Sequence, residues 1–244
     1  MRRRILITLG LVLLIVVSAV GAGVYSLAYT ERGLQFVVSH IPKRIGRTEM
    51  EFVGARGTLA RGFTLERFEL EHERVHLRFE GIVGHTRLLP LLWQTIHARD
   101  VSMKSAFVQI RRWKNPPPRS SPRFLPLGLI LQGDKVHVDS GTLIVQNGRR
   151  FDLTNVNTSG VARHRTIRFY EGSFEWGNVQ VSGNARLRAA DPMGIAGDAR
   201  ILMKFENQPL WVIATSGEGD LNKLNLTAEF TSPFQATFTG AAEE

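Results

Sequence analysis

The sequence predicts a mainly β protein: an N-terminal transmembrane helix and a short amphipathic helix, followed by a long curved antiparallel sheet. Three observations carry this. An uncharged apolar run follows Arg2, Arg3 and Arg4. Apolar residues then recur at three- and four-residue spacing over 30–45. Beyond Thr48 the period falls to two, with turn dipeptides between the alternating segments.

The N-terminal run, Ile5–Leu27, has 23 residues and no charge. At about 1.5 Å per helical residue it reaches roughly 35 Å, enough for a hydrocarbon core of about 30 Å. Ile5, Leu11, Leu14, Val17, Val20 and Leu27 are its expected lipid-facing anchor residues. The arginines favour the cytoplasmic side, so the chain after Thr30 is expected on the far side of the membrane. The rival reading is a cleaved signal peptide ending near Ala19-Val20-Gly21, with a longer apolar region than usual. Either reading exports the rest of the chain, which argues against a nucleic-acid partner.

Residues 30–45 come next. Thr30 is a helix cap, Glu31 suits the first turn, and Leu34, Val37, Val38, Ile41 and Ile45 form one stripe. Pro42 ends or kinks the helix near Ile41.

The strand pattern then begins. Phe68 and Leu70 alternate with Glu69 and Glu71; Val75, Leu77 and Phe79 alternate with His76, Arg78 and Glu80. A helical interruption is expected at Leu88–Gln94. Asn115–Pro126 holds five of the ten prolines and reads as an exposed loop. These breaks suggest four regions: 1–30, the cytoplasmic tip and anchor; 31–114, a membrane-proximal helix and β segment; 115–127, the Pro-rich loop; and 128–244, a repeating antiparallel β region. Charge differs across the break. Residues 31–127 hold 17 basic and 9 acidic residues, whereas 128–244 hold 11 and 13.

In the last region Val179, Val181, Ala185 and Leu187 oppose Gln180, Ser182, Asn184 and Arg186. Ala199, Ile201, Met203 and Phe205 oppose Arg200 and Lys204. Leu224, Leu226, Ala228 and Phe230 oppose Asn225, Thr227 and Glu229, and Phe234, Ala236 and Phe238 follow. Asn147-Gly148, Glu171-Gly172, Asp191-Pro192, Gly219-Asp220 and Ser232-Pro233 are turn signals. The alternation is that of a half-buried meander of a dozen or more strands. By itself it fits two packed sheets, a barrel, or one curved sheet forming an open groove.

The chain has 244 residues, a formal net charge of +9 and no cysteine. The last point excludes disulfides, Cys-ligated metals and thiol nucleophiles. His72-Glu73-Arg74-Val75-His76 matches H-E-x-x-H, but zinc chemistry needs both imidazoles one helical turn apart. Here the apolar parity switches between Leu70 and Val75, which predicts a hairpin turn at Glu73-Arg74. No G-x-S-x-G, Walker or Rossmann motif is present. Asp134 and Asp139 read as turn or solvent-face groups. Arg111, Arg112 and Lys114, around Trp113, suit a solvated loop or contact with lipid headgroups. No catalytic residue, metal or cofactor is expected, and the protein is not expected to be an enzyme.

The order of segments resembles a known family. A basic-flanked anchor leads to Thr30-Glu31-x-Gly33-Leu34. Then come G-x-R-G-T-L at Gly54–Leu59, F-T-L-E-R-F-E-L at Phe63–Leu70, an L-L-P-L-L segment and an I-H-A-R-D-V strand. A Pro-rich break, Asp191–Gly197 and Gly219–Leu224 follow. This is similar to the N-terminal region of the TamB family, inner-membrane components of the translocation and assembly module of Gram-negative bacteria, related to AsmA-like and bridge-like lipid transfer proteins. The resemblance covers nearly the whole chain and rests on order and spacing.

It implies a β-taco, a U-shaped sheet spanning the periplasm towards an outer-membrane TamA-like protein. It also implies phospholipid transport and support of outer-membrane protein assembly, autotransporters included. TamB proteins are several times longer, with a distinct C-terminal domain that meets TamA, so this chain is expected to be part of a larger protein. On this reading Val181, Leu187, Ile201, Met203, Phe205, Leu226, Phe230 and Phe238 line a lipid trough. Alternatives are a binding module for unfolded outer-membrane clients, an LptC-like lipopolysaccharide carrier and, remotely, an H-E-x-x-H metalloprotease.

Overall fold

The computed structural model describes residues 22–23, 25–45, 48–72, 75–87, 90, 93–111, 125, 128–190, 193–220 and 223–243. Among the described residues, 22–23 and 25–29 are helical, and after a bend at Thr30 the helix α1 (Glu31–His40) precedes a single sheet of fourteen strands. No helix among the described residues is long and apolar enough to cross a membrane. Ile5, Leu11, Leu14, Val17 and Val20 lie outside the described residues.

α1 starts where the sequence caps it. Thr30 is extended (φ −118°, ψ 152°), and its hydroxyl accepts from the Gly33 N–H at 3.0 Å. Ile41 ends the helix ahead of Pro42. A Cβ on Gly33 would collide with the backbone of Ser26 and Leu27, so glycine permits a close elbow there. The Ala28 carbonyl accepts from Ala60 N–H at 2.9 Å, and Ala28 and Leu34 are buried. The elbow is thereby tied to the first strands.

The strands are β1 (Arg44–Ile45), β2 (Thr48–Val53), β3 (Arg56–Thr58), β4 (Gly62–Glu71), β5 (Val75–Arg87), β6 (Thr95–Ile110) and β7 (Ile130–Ile144), then β8 (Arg150–Arg163), β9 (Thr166–Trp176), β10 (Val179–Arg188), β11 (Gly194–Met203), β12 (Trp211–Asp220), β13 (Lys223–Ser232) and β14 (Ala236–Glu243). They pair in chain order, with β3 paired to β4 beside β2. The curved sheet is mostly antiparallel.

Tight turns join neighbours where several of the turn signals fall, but Glu171-Gly172 is corrected: it lies inside β9, where Glu171 takes φ +50° at a register shift against β10, and is not a turn between strands. Between β7 and β8, Val145 N–H donates to Arg149 O at 3.0 Å, and Gly148 holds φ +81°. Between β4 and β5, His72 N–H donates to Val75 O at 2.9 Å and Val75 N–H returns to His72 O at 3.2 Å. Glu71 faces His76 and Leu70 faces Leu77 across this hairpin. The H-E-x-x-H segment therefore bridges two strands and lacks helical spacing.

One expectation is corrected. The sheet is not antiparallel throughout: β6 and β7 run parallel, from Thr95 opposite Ile130 to Gln109 opposite Ile144. The chain must return to the start of β6 before β7 begins, and a parallel pair needs such a crossover. The return falls on 111–129, where the prolines cluster. Gln94 O accepts from Ile130 N–H at 3.1 Å and holds the new strand at the start of β6.

Candidate functional site

Cross-strand register converts the alternation of single strands into one continuous apolar face. Residues directly opposite in a pair share a face. One row runs Met50, Leu70, Leu77, Val108, Leu143, Phe151 across β2, β4, β5, β6, β7 and β8. A second runs Phe174, Val181, Ile201, Ile213, Phe230, Ala236 across β9 to β14. Aromatic contacts reinforce the face. Phe52, Phe68 and Phe79 form a ladder, with ring centroids 4.8 and 6.1 Å apart. Trp211 meets Phe205, Phe230 and Phe234 edge-on at 5.6–6.3 Å.

No second layer covers this face among the described residues. All strands belong to one sheet, and substantial contacts between elements join sheet neighbours, apart from α1 against β3. No described side chain is fully buried, and Ala28, Leu34, Ile82, Val138 and Ile213 are the only buried apolar residues among them.

The opposite face is polar. Glu69 lies 2.7 Å from His76 Nε2, Arg67 reaches Glu51 at 3.3 Å, and Arg78 pairs with Glu80. Hydrogen bonds from Arg78 and Ser105 hold the Glu80 carboxyl below its usual range. His97, the one buried polar residue described, lies 2.8 Å from Asp134 and holds that carboxyl low. His137, between Asn157 at 2.7 Å and Asp139 at 2.9 Å, is pushed above its usual value. A depression of about 570 Å³ lies between Glu171 and Glu229 and is lined largely by residues of this polar face. Its Asn184–Asp198 hydrogen bonds and charges make it a poor seat for an apolar group.

The structure brings most of the expected trough residues together. Val181, Leu187, Ile201, Met203 and Phe230 are half-buried on the apolar face, while Leu226 and Phe238 are exposed on it. Phe205 lies beyond the end of β11 and leans on Trp211. Of the basic group, Arg111 bonds Glu71 at 3.1 Å; Arg112 and Lys114 lie outside the described residues. Leu27 is exposed beside the elbow.

Ile213 and Trp211 share the face but escape the sequence reading. Trp211-Val212-Ile213 is an apolar run without alternation, so its parity emerges only from pairing with Met203 and Ile201. No group of three or more potential metal-ligating side chains occurs among the described residues. Comparison with protein-family models, curated proteins and solved structures finds no match to this chain.

Proposed function

We propose that this chain is an inner-membrane-anchored, single-pass periplasmic component of a translocation and assembly module. It carries phospholipid along the apolar face towards the outer membrane and supports outer-membrane protein assembly. A TamA-like outer-membrane protein is the partner at the far end. The supporting observation is that apolar face, continuous over the sheet and uncovered by any second layer. Each acyl CH₂ removed from water gains about 0.8 kcal/mol, and headgroups stay wet at the strand ends. The even row from Phe174 to Ala236 offers no single deep trap, so a chain slides along it.

Ile201→Asp with Phe205→Asp tests the reading. Lipid extracted from the purified double variant is expected to fall several-fold, with the β signal in circular dichroism unchanged. Undiminished lipid on a folded variant refutes the trough.

A second reading has its own observation. Among the described residues β14 pairs with β13 alone, at the end of the strand order. An unfolded outer-membrane client could add there by β-augmentation.

A further inference from the structure

Five arginines gather on the polar side of β8, β9 and β10. Arg168 and Arg186 are directly opposite each other, and Arg163, Thr166 and Arg188 form the adjacent row. Arg165 sits in the turn between β8 and β9. Like charges opposed across strands destabilise the pairing, so this register needs a counter-charge. At six other arginines the sheet supplies one: Arg44, Arg56, Arg67, Arg78, Arg111 and Arg150 each meet a carboxylate. Among the described residues, none of the five clustered side chains has an ion pair or hydrogen-bond partner. Directly opposite on β11 stand only Gly194 (to Arg188) and Ala196 (to Arg186); Asp198, diagonal to Arg186, accepts a hydrogen bond from Asn184 instead. The nearest carboxylates in these rows, Glu218 and Asp220, stand two strands away, about 10 Å.

A depression of about 90 Å³ opens beside two of them, Arg163 and Arg168, and is lined also by Val161, Thr166 and Tyr170, with Arg186 directly across from Arg168. That is roughly the liquid volume of three waters, room for a tetrahedral oxyanion. Guanidinium forks bind phosphate oxygens two at a time, and the Thr166 and Tyr170 hydroxyls can donate alongside them.

From this arrangement we infer that the arginine end of β8–β10 is a binding site for a phosphate group. The shared chemistry is a phosphate carrying more negative charge than one guanidinium neutralises. Its source is either free inorganic phosphate or the headgroup of an anionic phospholipid. The site does not depend on what the apolar face carries: Ile167 and Phe169 turn to that face, and the arginines turn away from it.

Thermal melting of the full chain tests this at constant ionic strength, in chloride and in inorganic phosphate. Saturating phosphate is expected to raise the wild-type midpoint by roughly 3–6 °C. Arg168→Gln with Arg186→Gln is expected to melt higher than wild type in chloride and to lose the phosphate response. Arg186→Lys keeps the charge without the fork and is expected to bind about ten-fold more weakly. Short-chain phosphatidic acid below its micelle concentration separates the sources. Tenfold tighter binding than phosphate assigns the headgroup, and equal binding assigns the free ion. Equal wild-type midpoints in the two salts overturn the site, as does a double variant that responds like wild type.

Discussion

Truncating two residues of the apolar face should separate an open sheet from a closed core. Leu226 is 40% exposed and Ile213 only 9%. Leu226 stands opposite Gly217 on one side and Gly240 on the other, so little packs beside it. Full burial of such a side chain is worth about 1.5–3 kcal/mol. Some three-fifths is already covered, and alanine retains the Cβ, so Leu226→Ala should cost about 1 kcal/mol. The removed atoms border open space, so no cavity penalty adds to this. Ile213 is wedged between Ile201 and Phe230. Ile213→Ala should therefore leave a hole and cost about 2–4 kcal/mol. Urea unfolding of the full chain, followed by circular dichroism, measures both. If Leu226→Ala costs as much as Ile213→Ala, Leu226 is sealed under a second layer and the reasoning fails.

Three further outcomes follow from local geometry. Thr30→Ala removes the acceptor for Gly33 N–H and should cost about 1 kcal/mol in urea unfolding, with Thr30→Ser restoring most of it. His137 has its pKa raised first by Asn157 and then by Asp139, so its contribution is complete below the ordinary 6.5 and is lost as pH rises through the higher folded value. The urea midpoint should fall over that window in wild type, and His137→Asn should flatten this dependence. Asp134 has the opposite sign. Its pKa is held below the ordinary 3.8, chiefly by His97, so its contribution is present above 3.8 and lost on acidification through the lower folded value. His97→Gln should therefore make stability less sensitive to acid, measured as the urea midpoint between pH 5 and 2.

Much of the sheet is readable one strand at a time. Val179–Arg188 alternates half-buried and exposed along its whole length, as its sequence does. The cap at Thr30, the stop before Pro42 and the β4–β5 hairpin closed by His72 and Val75 rest on local signals, and each is in place. Other features are relations between strands that no single segment records. The parallel join of β6 to β7 depends on the path of the connection. The facing of Ile213 is decided by its partners in β11 and β13. The opposition of Arg168 and Arg186 depends on register, which is shifted by a bulge between Gly183 and Ala185. Phe205 continues the parity of Met203 but falls past the last pairing of its strand, where alternation ceases to report a face.

The central claim is that the apolar face is left for an acyl chain. Its most direct test is a photo-reactive residue at Val181, in the middle of the row from Phe174 to Ala236, activated in the full chain within a bacterial envelope. Mass spectrometry of the products is expected to find phospholipid adducts. Adducts to protein alone, or to another part of the same chain, would contradict the claim.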